Sequence, residues 1–264
     1  MEFLWLLGKT LLLRPYVFLF LAVALATSVW LMGLKRTAIF FLLAWLTAFL
    51  CEFSSTRTGI PFGWYFYTGS TRGQELYLSN VPFMDSLSFS FLLFMSYCLA
   101  LVFLLPGRGH GLSLELCDDP AIRRSGQVLA LTTLFFVLLD VVIDPVTLRG
   151  DRWFLGKIYD YPEPGVHFGV PMANYLGWAV VGVVALGAFQ RIERRLPDAA
   201  STPIITRPLL LGCTLYYGVL AFNLAITFWI NEPVIGTTNL FIYLPLTAFL
   251  VLKLAGRLPA PMSS

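Results

Sequence analysis

The chain has 264 residues, of which 58% are hydrophobic and only 12% are charged. Soluble domains carry about 25% charged residues, so this composition excludes an ordinary soluble enzyme and indicates an integral membrane protein. The formal net charge of +3 is too small to indicate a nucleic-acid partner.

The hydropathy pattern predicts an all-α fold, a polytopic membrane helix bundle of about seven transmembrane helices in a single domain, residues 1–264. Apolar runs long enough to cross a bilayer lie at 15–34, 37–53, 81–105, 125–144, 169–190, 207–230 and 236–254. Residues 3–13 are predicted to lie along the membrane interface. Residues 9–26 have the pattern of a secretion signal, but the apolar run continues through residue 32, so we interpret it as a retained first helix.

The basic residues divide unequally between the two sides of this predicted bundle. Eleven of the 18 Lys and Arg residues fall on the side of segments 35–36, 106–124 and 191–207 and the C-terminal tail. Cytoplasmic loops are enriched in these residues, so we expect a multi-pass protein of the cell (inner) membrane with a cytoplasmic C-terminus. The four cysteines form no CxxC motif, which favours small apolar packing residues over a disulfide framework or a zinc site.

Acidic and amide side chains are predicted to gather in one layer of the bundle. They occur where even-numbered helices end and odd-numbered helices begin, and helix direction alternates, so these positions share one face of the membrane. The side chains concerned are Glu52, Asp85, Asp140, Asp144 and Asn174. Glu232 falls in the same layer between the last two helices, and we interpret it as a loop residue.

Asp140 and Asp144 are four residues apart on one helix and therefore face the same way. Two neighbouring carboxylates in a low dielectric do not both ionise easily, so the pair is predicted to store one proton beside an apolar cavity. An acid catalyst that acts on a hydrocarbon needs such a group. The alternative is structural, with Asp144 capping its helix before Pro145 or pairing with Arg149 or Arg152.

Three sequence blocks resemble a known family. They are Glu52 followed by GIPFGWYFY (59–67), NVPF (80–83), and DVVIDP (140–145) continuing through Gly150 and Trp153 to FGVPMANYLGW (168–178). Together they resemble the carotenoid biosynthesis membrane proteins, the family that includes bisanhydrobacterioruberin hydratase and the carotenoid 1′,2′-hydratases. The resemblance covers roughly residues 50–180, whereas the first helix and the last two match only in hydropathy.

The resemblance implies that water adds across the terminal C1–C2 double bond of an acyclic, membrane-embedded carotenoid, with no cofactor or metal. On this hypothesis Asp140 or Asp144 delivers a proton to C2, while Glu52 with Asn174 holds the attacking water. Aromatic faces would stabilise the resulting tertiary cation. The remaining candidates for the cavity wall, for substrate contact, for balancing the acids or for proton relay are Trp64, Tyr65, Tyr67, Trp153, Trp178, Asp85, Arg57, Arg152 and His167.

Other functions fit part of the same pattern. A carotenoid cyclase or isomerase forms the same cation and quenches it by losing a proton, and the residues do not separate it from a hydratase. An ion-coupled transporter also places acids inside the membrane, but the chain has no repeated halves, and segments 99–105 and 180–186 are apolar. A metal-dependent membrane enzyme is disfavoured because the only histidines are His110 and His167.

Overall fold

The computed structural model describes residues 2–109, 111–197 and 204–256, so His110 and Arg257 lie outside the described residues. Within this part of the chain there are eight α-helices: α1 (Glu2–Leu13), α2 (Pro15–Thr58), α3 (Phe83–Leu104), α4 (Pro120–Arg123), α5 (Gly126–Thr147), α6 (Met172–Glu193), α7 (Thr206–Trp229) and α8 (Pro233–Leu254). Six of these eight, all except α1 and α4, are long and apolar enough to cross a membrane. The predicted all-α membrane bundle is confirmed.

Helix α2 is a hairpin of two helical segments joined at Gly33. This residue interrupts the helix with φ 77° and ψ 164°, a backbone conformation that favours glycine. The hydroxyl groups of Ser28 and Thr37 are only 2.9 Å apart, whereas nine residues of continuous helix would separate them by roughly 13 Å. The chain therefore folds back at Gly33, and α2 supplies two of the seven crossings that the sequence predicts.

Helix α3 is the centre of the bundle, because it packs against α2, α5 and α7. Most of its side chains are buried, including Phe94, Met95 and Leu99. The outer helices expose apolar side chains such as Leu176 on α6 and Phe241 on α8. An outer face of this kind is expected where the helix meets lipid rather than water.

Short antiparallel strand pairs fasten the loops. The six strands are β1 (Phe66–Tyr67), β2 (Tyr77–Leu78), β3 (Val81–Pro82), β4 (Gly107–Arg108), β5 (Glu115–Leu116) and β6 (Tyr159–Asp160). Strand β1 pairs with β6 so that Tyr67 lies opposite Tyr159. The pairing continues in a hydrogen bond of 2.9 Å from the Thr68 amide to the carbonyl of Ile158. The loop after α2 is thus fixed to the loop after α5.

Glycine and proline set the helix ends on this side of the bundle. Gly59 ends α2 in a left-handed conformation, and its amide donates to the Ser55 carbonyl. Pro82 and Pro171 immediately precede α3 and α6. Gly177 on α6 lies against the Phe62 ring, where a Cβ atom would overlap the ring.

Candidate active site

A cavity of about 340 Å³ lies where α2, α3, α5 and α6 meet the two fastened loops. Its lining combines carboxyl, amide and aromatic side chains: Glu52, Asp85, Asp144, Asn174, Phe62, Tyr65, Tyr67, Phe89, Tyr159, Tyr161 and Trp178. Asp140 is fully buried beside Asp144. The structure therefore brings together all five acid and amide residues that the helix alternation predicts.

Asn174 joins the two aspartates of α5. Its Nδ2 donates to Asp140 Oδ2 at 2.6 Å and to Asp144 Oδ2 at 2.8 Å. The two carboxyl groups are therefore held close together, as their spacing of four residues predicts. The second oxygen of Asp140 is buried and receives no hydrogen bond from any described residue.

Two tyrosines from the loop after α5 complete the surroundings of Asp144. Tyr161 Oη donates to Asp144 Oδ2 at 2.8 Å, and Tyr159 Oη donates to Asp144 Oδ1. Burial, and secondarily the negative charge of Asp144, raises the pKa of both tyrosines well above its ordinary value. Both hydroxyls therefore keep their protons at neutral pH, and with Asn174 they give Asp144 three donors.

Glu52 and Asp85 form a second acid pair around the hydroxyl of Tyr67. Tyr67 Oη lies 2.8 Å from both Glu52 Oε1 and Asp85 Oδ2, and Ser86 donates to the other Glu52 oxygen. A phenolic hydroxyl carries one proton, so it donates to only one carboxylate at a time. The other contact is a hydrogen bond only if that carboxyl group carries a proton of its own.

Aromatic rings form the rest of the cavity wall. Phe89 stacks on Trp178 with ring centroids 4.1 Å apart, and Phe136 packs behind Trp178 at 4.6 Å. Tyr65 meets Tyr67 edge to face at 5.4 Å. The two carboxyl pairs thus adjoin a surface made of π faces, which attract positive charge.

The predicted arginines do not balance these buried acids. Arg149 and Arg152 both contact Glu232, Arg149 with an Nε–Oε1 distance of 3.0 Å, so Glu232 belongs to a loop ion pair. Burial alone would raise the pKa of Glu232, but the hydrogen bonds from Arg149 and Arg152 lower it below its ordinary value. Arg57 donates to a carbonyl of its own helix at 2.8 Å. The structural alternative for Asp144, an ion pair with Arg149 or Arg152, is not the arrangement observed.

Three further sequence-predicted residues lie outside the cavity lining. Trp64 is 59% exposed, with its indole over Gly59. Trp153 donates to the Val146 carbonyl at 3.0 Å and lines a neighbouring cavity. His167 Nδ1 lies 2.5 Å from the Tyr175 hydroxyl, and burial lowers the pKa of this histidine, which favours the neutral ring.

Sequence reasoning missed four of the lining aromatics: Phe62, Phe89, Tyr159 and Tyr161. The motif Tyr-Asp-Tyr at 159–161 carries a usable signal, because alternate residues of an extended segment face the same way. Phe89 lies one helical turn after Asp85 and so shares its side of α3.

Neither a cluster of metal-binding side chains nor a disulfide occurs among the described residues. No group of three or more His, Cys, Asp or Glu side chains among the described residues is arranged to hold a metal ion. The four cysteines are free thiols, and Cys98 and Cys213 are buried between helices.

The fold and this cavity define a polytopic membrane protein with paired carboxyl groups beside an aromatic wall. The sequence matches the carotenoid biosynthesis protein family over residues 13–245, and the chain belongs to that family. The match extends beyond the blocks at 50–180 into the first and later helices. Bisanhydrobacterioruberin hydratase from Haloarcula japonica is 29% identical over 236 residues, covering 85% of this chain and 70% of the relative. No solved structure matches the chain.

Proposed function

We propose that this protein is a carotenoid hydratase, which adds water to the terminal C1–C2 double bond of an acyclic carotenoid. The observation that carries the proposal is an aromatic cavity inside a membrane bundle that is lined by Glu52, Asp85 and Asp144, with Asp140 buried beside Asp144. Hydration requires a proton for one carbon and a hydroxyl group for its neighbour, so it needs an acid and a base. The relative from Haloarcula japonica, named as a hydratase, supports this reaction class.

The scarcity of nearby positive charge supports one stored proton in each pair. Among the described residues, the hydrogen-bond donors to these carboxyl groups are hydroxyl and amide groups rather than Lys or Arg side chains. Two unit charges about 4 Å apart repel by roughly 4 kcal/mol at an effective dielectric constant near 20. Sharing one proton removes most of that repulsion in each pair.

The number of donors favours different roles for the two pairs. Asp144 accepts from Tyr159, Tyr161 and Asn174, which stabilises it as a carboxylate and suits it to act as the base. Glu52 and Asp85 share the hydroxyl of Tyr67, and Ser86 is a second donor, to Glu52; fewer donors for two carboxyl groups suit that pair to hold the proton and act as the acid. This assignment reverses the sequence-based hypothesis, in which Asp140 or Asp144 supplies the proton.

The reaction then balances in two steps. The π electrons of the C1–C2 bond take the proton from the Glu52–Asp85 pair to form a C–H bond at C2, leaving a tertiary cation at C1. The outer face of the stacked Phe89–Trp178 pair stabilises that cation, a contact that contributes about 0.5–2 kcal/mol. A water oxygen forms the C–O bond at C1 and its proton passes to Asp144. Proton exchange between the pairs and solvent restores the starting state.

Pigment analysis tests the proposal. Expression in a lycopene-accumulating host is expected to yield carotenoids heavier by one water for each end that reacts. Water labelled with heavy oxygen should appear in the hydroxyl group, which separates hydration from oxygenation. An unchanged mass with a new ring or a shifted double bond would replace the hydratase by a cyclase or isomerase.

A further inference from the structure

A second and larger cavity, of about 600 Å³, lies between the first half of α2 and helices α3, α5 and α7. Its wall is mainly apolar and includes Val17, Met84, Leu92, Ile143 and Val219. We propose that this cavity binds the isoprenoid chain of the substrate next to its reacting end. The inference rests on the proposed hydratase function and adds to it a location for the hydrocarbon.

Asp85 is the junction of the two cavities, because it lines both. Phe89 on α3 faces the acid-lined cavity, while Ser88 and Leu92 face the apolar one. A linear molecule with its terminal double bond among the acids therefore continues past Asp85 into apolar surroundings. The groove between α7 and α8 is also apolar, but it shares no lining residue with the acid cavity.

The apolar cavity is too short to enclose a whole acyclic carotenoid. Along α3 its wall runs from Met84 to Leu92, which corresponds to roughly 12 Å at 1.5 Å per residue. The remainder of the chain must therefore leave the bundle, and an apolar polyene has its favourable surroundings in the bilayer.

An aromatic cluster marks the side on which the chain leaves. Tyr16 on α2 stacks on Phe222 of α7 with centroids 5.2 Å apart, and Phe154 meets Tyr16 edge to face at 5.5 Å. Tyr16 and Phe222 are half-buried and line the cavity, whereas Phe154 is 54% exposed. These rings between α2 and α7 give a flat polyene an aromatic surface leading from the lipid toward Asp85.

Filling the cavity tests the proposal. Val219 is buried in its wall, so Val219→Phe is expected to exclude the chain and to lower kcat/KM for an acyclic C40 carotenoid roughly tenfold or more, mainly through KM. The visible circular dichroism that a carotenoid acquires in a chiral site should also disappear in the Val219→Phe variant. Ala225→Phe adds the same ring to the exposed face of the same helix and should change neither measurement.

A second variant keeps the test independent of one substitution. Val17→Phe fills the cavity from α2, and thermal unfolding identifies whichever variant retains the fold. Folded variants with unchanged KM and an unchanged carotenoid signal would overturn the chain-binding inference while leaving the hydratase proposal intact. If the wild-type protein forms no hydrated product but binds carotenoid, and Val219→Phe removes that binding, the hydratase proposal is overturned instead.

Discussion

Buried carboxyl groups occur at both ends of the bundle, but their partners differ. At the end of α6, Glu193 is 1% exposed and contacts three arginines, with distances of 2.9 Å to Arg123, 3.4 Å to Arg36 and 3.7 Å to Arg124. At the opposite end, Glu52, Asp85, Asp140 and Asp144 are surrounded by hydroxyl and amide donors.

The comparison shows two ways of burying a carboxyl group. Ion pairs with three arginines compensate the negative charge of Glu193, which suits this residue to join helix ends. Hydroxyl and amide donors contact these carboxyl groups without adding a compensating charge, so protons remain available for exchange. Only the second arrangement suits acid–base chemistry on a hydrocarbon.

The largest expected effects come from removing one acid of each pair. Both Glu52→Gln and Asp144→Asn should lower hydration roughly 10²- to 10⁴-fold, because each removes a proton-transfer group. They should differ in heavy water. Asp144→Asn retains the Glu52–Asp85 pair as proton donor, so substrate recovered from heavy water should still contain incorporated deuterium. Substrate recovered with Glu52→Gln should not. The opposite pattern would return the donor role to the α5 pair.

Asp140→Asn tests the buried partner of Asp144. Asp140 is fully buried and absent from the cavity lining, so we treat it as a group that acts through Asp144. Its replacement should abolish most turnover in a protein that is still folded and extractable, and should shift the pH profile of the remaining activity. A variant with full activity and an unchanged profile would remove Asp140 from the mechanism.

Glu193→Gln is the matched substitution at the other end of the bundle. It leaves three arginines without their shared carboxylate, which should lower the free energy of unfolding by about 3–5 kcal/mol. Turnover per folded molecule should not change. Thermal unfolding measures the first quantity and activity normalised to folded protein the second, and a selective loss of turnover would contradict the comparison.

Tyr159→Phe should have a smaller effect on the reaction. It removes one of three donors from Asp144 while the ring still packs against Tyr65 and Tyr161. A lost hydrogen bond to a charged group corresponds to about 1.5–3 kcal/mol, so kcat should fall roughly ten- to a hundred-fold with little change in KM. A change confined to KM would instead indicate substrate contact.

The smallest effect is expected at Glu232, which pairs with the half-buried Arg149 and the exposed Arg152. Its pKa in the folded state is lowered, so its contribution to stability is complete above the unfolded value, about 4.3, and is lost as pH falls through the folded value. Glu232→Gln should therefore lower stability by at most about 1 kcal/mol at neutral pH. The difference in Tm from wild type should vanish in acid.

The sequence predicts those features that depend on helix direction and spacing. The seven predicted crossings follow from the lengths of the apolar runs, and the gathering of Glu52, Asp85, Asp140, Asp144 and Asn174 follows from the alternation of helix direction. The tyrosine donors to Asp144 do not, because they reach it through the β1–β6 pairing, which joins segments about 90 residues apart. The contact of Arg152 with Glu232 does not follow from spacing either, since Glu232 comes from a distant loop.

The reversal at Gly33 makes the number of crossings odd, which places the two ends of the described chain on different faces. Arg14, just before α2, donates to the Leu155 carbonyl on the loop side, whereas Lys253, near the end of α8, donates to the Leu105 carbonyl beyond the far end of α3. Reporter proteins fused ahead of α1 and behind α8 should therefore signal from separate compartments. A residue at position 33 that continues the helix would remove the reversal on which this odd number of crossings depends.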